Sequence, residues 1–236
     1  MHAPRPAIIP ADLLLLAYRN GIFPMADSRD DQEVFWVEPR ERAIIPIGGF
    51  TCSRSLARTI RRDLFTVTCN ADFRGVVQGC AAPREDHPDS WISRRIEASY
   101  SALHEAGHAH SIECWRDGEL VGGVYGVAFD KVFCGESMFS RRRDASKVAL
   151  GWLMALLERA GCVLFDCQFM TPHLASLGAV EIPQTDYLEK LAEAAGPQCM
   201  TLPEAYASLS SEAVEDDTGG EFSPGYVIAQ SLTQTS

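Results

Sequence analysis

Three polar side chains stand inside stretches of sequence that are otherwise apolar: Asp166 and Gln168 in LFDCQF, and Glu136 in VFCGESMF. Read as a strand, LFDCQF puts Phe165, Cys167 and Phe169 on one face and Asp166 with Gln168 on the other. A carboxylate and an amide on a core strand must be paired, or they cost several kcal/mol, on the order of the penalty for an unsatisfied buried polar group. Gly135 beside Glu136 lets another group approach the backbone closely. A buried network tied to backbone amides would account for these residues, and so would one chemical site shared by two strands.

A second constellation is His-Glu-x-x-His, at His104, Glu105 and His108 in LHEAGHAHSIECW. This pattern holds zinc when both imidazoles share one helical face and the glutamate serves as base. Gly107 lies between the histidines, and the AHSIECW that follows alternates like a strand. The helix through RRIEASYSALHEAG is therefore predicted to end on Gly107, leaving His108 in the turn, where the two imidazoles diverge. Helix-end histidines with local hydrogen bonds, and no metal, are expected instead.

The elements that must position these groups come from a chain of 236 residues, 46% hydrophobic, enough for one large domain or one with a small appendage. The apolar run Leu13 to Ala17 is too short to span a bilayer, and the first residues lack the features of a signal peptide. A cytoplasmic chain with no membrane partner is expected. Eight scattered cysteines with no Cys-x-x-Cys pair read as buried thiols.

A net charge of −11 argues at first against nucleic acid, yet six of the acids lie beyond residue 200, where there is no Lys or Arg. Local patches decide binding. In TCSRSLARTIRRD, Arg54, Arg58, Arg61 and Arg62 share one helical face, opposite Cys52, Leu56 and Ile60. That face is either a solvated surface or a phosphate-binding one. Arg141, Arg142 and Arg143 form a weaker cluster next to Asp144.

PADLLLLAYRNGIFP reads as a short helix, followed by short strands at 35–37 and 43–47. A strand at 64–69 precedes a helix for which Asn70 is the expected N-cap. Asp117-Gly118 and Asp130-Lys131 separate three antiparallel strands. A long helix capped by Asp144 and ended by Gly161 leads to CVLFDCQF, and helices at 172–177 and 186–194 follow. The fold class is α+β: a mixed sheet flanked by helices, with a small N-terminal domain over 1–50, the main domain over 51–200, and an acidic, loosely held tail over 201–236.

Six stretches, AYRNGIFPM, SWISRRIEASYSALHEAGHAHSIECW, LVGGVYGV, FCGESMFSRRRDASKVAL, FDCQ and HLASLGAVEIP, occur in this order over residues 11–195. No one of them is diagnostic, but together they make the chain resemble the leucyl/phenylalanyl-tRNA–protein transferases. The resemblance implies a catalytic domain of the acyl-CoA N-acyltransferase fold. It also implies transfer of Leu or Phe from aminoacyl-tRNA to proteins beginning with Arg or Lys, marking them for proteolysis, without cofactor or metal. Asp166 and Gln168 would be the catalytic pair, with Glu136 helping to place the reacting ends. Met138, Val124, Phe133, Leu150 and Phe165 would line the pocket for the transferred side chain. Trp91 would stack on the terminal adenine, and Met25 stands where many members carry a second Trp. Gln184 occupies a place often held by Arg. The arginine face would meet the tRNA, and a monomer is expected.

A small-molecule N-acetyltransferase of the same fold is the alternative, but it would want a Gly-rich pyrophosphate turn where this chain has RRRDASK. A non-catalytic RNA-binding module is a third reading, and it leaves Asp166, Gln168 and Glu136 unexplained.

Overall fold

The strands at the centre of the chain are built as their alternation demands. β5 (Ala109–Arg116), β6 (Glu119–Phe129) and β7 (Val132–Ser140) form an antiparallel meander, edged by β4 (Thr66–Cys69). The computed structural model describes residues 8–83, 89–212 and 223–234. α5 (Ala145–Arg159) crosses back from the meander, so β8 (Leu164–Gln168) runs parallel to β7. β3 (Glu41–Ile45) and β9 (Val180–Pro183) complete one sheet of order β4-β5-β6-β7-β8-β3-β9, and β1 (Phe23–Met25) pairs with β2 (Phe35–Val37) in a separate ribbon. The result is an α+β fold with a central, mostly antiparallel sheet.

Helices cover both faces. α1 (Ala11–Arg19), α3 (Phe73–Ala81), α4 (Arg94–Glu105) and α7 (Gln184–Glu193) pack their apolar stripes with Tyr125, Val127 and Leu164 of the sheet. On the other face lies α5, buried along nearly its whole circumference. A helix apolar all round must be covered on both sides. The sheet covers one side of α5, and α2 (Arg54–Arg61), α8 (Leu202–Glu212) and α9 (Pro224–Gln234) pack against it from elsewhere.

That cover corrects the expected loose tail. Over its described residues the tail forms α8 and α9, which bury Leu202, Ala205, Leu209, Ile228, Ala229 and Leu232 in the core with α5. The rest of the expected tail, from residue 213 to 222 and at 235–236, lies outside the described residues. The boundary expected at residue 50 falls earlier: β3, at Glu41–Ile45, is inserted in the main sheet between β8 and β9.

Two expected caps also differ. Asp72, not Asn70, caps α3 by accepting from Gly75 N; Asn70 instead bonds His110 Nδ1 and Ser111 N. Asp144 precedes α5 in a left-handed conformation and its side chain caps nothing. Of the cysteines, Cys80, Cys114, Cys134 and Cys162 are buried, whereas Cys199 is exposed. No helix among the described residues is long and apolar enough to cross a membrane.

Candidate active site

The parallel ladder between β7 and β8 ends early. Its last pair is Cys134 with Asp166, and the site is built from the residues immediately beyond. In β7 the register against β6 steps from Gly126↔Gly135 to Tyr125↔Ser137, so Glu136 is a bulged residue with no partner opposite. In β8 the register against β3 steps from Ile44↔Asp166 to Ala43↔Gln168, which leaves Cys167 unopposed. Bulges re-aim side chains next to a strand end. Here they bring Glu136 and Gln168 together across the gap, with Gln168 Nε2 donating to Glu136 Oε1 at 2.9 Å.

Glu136 accepts two more hydrogen bonds, from Tyr18 Oη at 2.7 Å and from Tyr100 Oη at 2.9 Å, and the two phenols touch at 2.5 Å. α1 and α4 bring these tyrosines up from one side of the sheet. Burial raises the carboxyl's pKa to about 7; the three donors, Tyr18, Tyr100 and Gln168, pull against it, and Asp166 adds a further upward push. The same burial, with the Glu136 charge, holds both phenols well above their ordinary range.

Asp166 is placed differently from the sequence expectation. It has no exposed surface and does not line the cavity. Its carboxylate takes a two-pronged ion pair from Arg42 (Nε to Oδ1 at 2.9 Å, Nη2 to Oδ2 at 2.6 Å), a bond from Tyr187 Oη at 3.0 Å, and one from Gln168 N at 2.7 Å. Gln168 does not share its environment, because the strand alternation breaks there. With φ of 66° and a bond from Phe169 N to Cys167 O at 2.8 Å, Gln168 is the centre of a γ-turn. Its side chain leaves the Asp166 face and enters the cavity. Nothing among the described residues donates to Gln168 Oε1.

That cavity, about 590 Å³, is walled by Val124, Met138, Leu150 and Phe165, which the resemblance implied for a side-chain pocket, together with Trp91, which it implied for the terminal adenine, and Met25. Phe133 is not among them. It is buried beneath, stacked on Phe165 at 6.1 Å between ring centroids, with its ring against Gly126. Phe169, Cys167, Leu174 and His173 line the cavity without having been foreseen. Phe169 is 45% exposed and meets Phe23 edge-on at 5.6 Å.

Arg42, Tyr18, Tyr100 and Tyr187 were also missed. The requirement that Asp166 be paired called for a cation, and Arg42 is in period-two phase with buried Ile44, a signal that could have found it. The tyrosines gave no local signal beyond that of core aromatics.

The His-Glu-x-x-His stretch ends its helix as the sequence reading has it. Gly107, at φ of 83°, follows α4, with His108 N bonded to Leu103 O and Gly107 N to His104 O. His104 is stacked on Phe73 and its Nδ1 meets Ala109 O at 2.7 Å, while His108 lies outside the helix. Arg54, Arg58, Arg61 and Arg62 are exposed on or beside α2, over buried Leu56, Ala57 and Ile60.

An apolar pouch ending on an amide and a carboxyl has the layout of a ligand-binding or active site. Comparison with known proteins agrees. Residues 44–192 match the family described as leucyl/phenylalanyl-tRNA protein transferase, and residues 9–40 match its N-terminal domain. Two proteins named leucyl/phenylalanyl-tRNA–protein transferase are similar along almost their whole length. The one from Novosphingobium aromaticivorans is 57% identical over 98% of both chains, and the one from Rhizorhabdus wittichii is 50% identical over 97% of this chain and 99% of that one. Among solved structures, a functionally unknown conserved protein from Staphylococcus epidermidis gives a TM-score of 0.40 at 11% identity, covering 77% of this chain and 67% of that chain. The chain belongs to the leucyl/phenylalanyl-tRNA–protein transferase family, a family of aminoacyltransferases.

Proposed function

We propose that the protein transfers leucine or phenylalanine from aminoacyl-tRNA to the α-amine of proteins beginning with Arg or Lys, in the cytoplasm, and so marks them for proteolysis. The observation that carries this reading is the pouch, apolar along Val124, Met138, Leu150 and Phe165 and polar at Gln168 and Glu136. A flexible Met in such a wall adapts to both a branched and an aromatic side chain. Trp91 is the stacking platform for the terminal adenine, with Met25 an apolar contact beside it. The exposed arginines of α2 meet the tRNA phosphates. The meander β5–β7, the crossover α5 and the parallel β8 support an acyl-CoA N-acyltransferase type of fold.

The chemistry asks little of the protein. An α-amine has a pKa of about 7.7–8.0, so part of it is already neutral near pH 7. Gln168 Oε1 accepts an N–H from the incoming amine and turns the nitrogen lone pair toward the ester carbonyl. The N–C bond forms, the C–O bond to the ribose breaks, and the amine proton leaves on the ribose oxygen or to water. Glu136 fixes the Gln168 amide the right way round, because holding Nε2 leaves Oε1 for the pouch. Asp166 holds this geometry without touching substrate.

The test is transfer itself. tRNA charged with labelled leucine should label a peptide that begins with Arg and leave its N-acetylated form unlabelled. No label in the Arg peptide, while the tRNA stays charged, would refute the reading. Gln168→Ala should slow transfer roughly 100-fold, the scale of a misplaced reactant, with tRNA affinity unchanged.

A further inference from the structure

We propose that Arg42 is a positioning residue for Gln168, acting through the Asp166 carboxylate on the γ-turn that aims the amide into the pouch. The proposal rests on the reading of Gln168 as the group that orients the amine.

A left-handed backbone is uncommon for a residue with a side chain, and a γ-turn of this hand is strained, so it persists only where its surroundings hold it. The hold is visible. Asp166 Oδ1 accepts from Gln168 N at 2.7 Å and from Arg42 Nε at 2.9 Å, so the turn and the guanidinium grip the same oxygen. Oδ2 is taken by Arg42 Nη2 and Tyr187 Oη, which fills the carboxylate's four acceptor directions. The carboxylate therefore cannot rotate away from the turn without breaking several charge-assisted bonds.

Arg42 is itself fixed. Nη1 donates to Gly21 O at 2.9 Å, and the guanidinium stacks on the rings of Phe23 and Tyr187 at 5.0 and 4.3 Å. Neither Arg42 nor Asp166 has exposed surface. Burial works against the charge on Arg42, but the adjoining Asp166 outweighs it and lifts the guanidinium's pKa further above its ordinary value. A lysine could supply the charge but not the fork that reaches both oxygens and Gly21 at once.

The experiment is a double-mutant cycle on the full chain, with leucyl-tRNA and an Arg-initiated peptide as substrates. Arg42→Lys should lower kcat at least tenfold and leave KM for both substrates within twofold. In the Gln168→Ala background the same change should cost no further activity, since its effect runs through the missing amide. An unchanged kcat in Arg42→Lys, or an equal fractional loss in both backgrounds, would overturn the proposal. Should Arg42→Lys not fold, Asp166→Asn takes its place in the same cycle, with the same outcomes. Full activity of Gln168→Ala alone would instead overturn the amine-orienting role, a separable failure.

Discussion

Glu136 is a carboxyl whose charge is contested by its own surroundings. Burial favours the neutral form, while Tyr18 on α1, Tyr100 on α4 and Gln168 on β8 favour the ion, and the balance falls at about pH 7, with Asp166 adding to the upward side. A carboxyl raised in the fold keeps a proton that the unfolded chain has already released. Its contribution to stability is complete below its ordinary pKa of about 4.5 and is lost as the pH rises through about 7. The slope cannot exceed about 1.4 kcal/mol per pH unit, the value for one proton. His110 works in the opposite sense. Burial first, and then His104 and His108, depress it to about 4, so its contribution rises with pH toward its ordinary range. Comparing wild type with Glu136→Gln cancels the histidine. The stability advantage of wild type over the variant should shrink between pH 4.5 and 7 in denaturant titrations, and a flat difference would show that Glu136 titrates as in water.

Two glycines show which elements the sequence could disclose. Gly107 closes α4 in a left-handed conformation, and a Cβ placed there would meet nothing within 4 Å. Gly107→Ala should therefore cost only the backbone penalty, about 1–2 kcal/mol, in a thermal melt. Gly126, facing the bulge at Glu136, is different: a Cβ there would lie 2.2 Å from Cys134 O and 2.4 Å from the Phe133 ring. Gly126→Ala should cost on the order of 3 kcal/mol or more and lower kcat as the bulge shifts; equal melting temperatures for the two variants would refute this contrast. The helix stop was legible because Gly107 and the alternating AHSIECW are local signals, and the hairpin at Asp117-Gly118, both at positive φ, was legible for the same reason. Glu136 and Gln168 were legible as polar residues out of place on apolar strands. Their meeting was not, because it depends on register shifts against β6 and β3, and register is fixed by partners far away in sequence. β3 joined the main sheet, and Arg42 joined Asp166, through that same nonlocal pairing.

On the scale of the whole molecule α9 and the arginine face belong together. Gly225 N bonds Asp63 Oδ1 just after α2, and Arg61 lies over the Tyr226 ring at 5.7 Å, so α9 braces the helix that carries the arginines. Deleting residues 202–236 should lower the melting temperature sharply, since it uncovers α5; a truncated chain that melts like the full one would show that α8 and α9 merely rest on the surface. With the brace intact, the arginine face can be tested by itself. A net charge of −11 repels tRNA at long range, so any binding must come from a local basic surface and must weaken with salt. Each phosphate contact contributes roughly 0.7–0.9 to the slope of log K against log salt. Arg58 and Arg62 are exposed, and neither is held in an ion pair among the described residues. Changing both to Ala should therefore leave stability within about 0.5 kcal/mol. It should also weaken binding of leucyl-tRNA and flatten the slope by about two contacts' worth, read by filter binding from low to moderate salt. If the slope does not change, the face is only a solvated surface and the acceptor stem docks elsewhere, with the exposed Arg141–Arg143 segment before α5 the next surface to mutate.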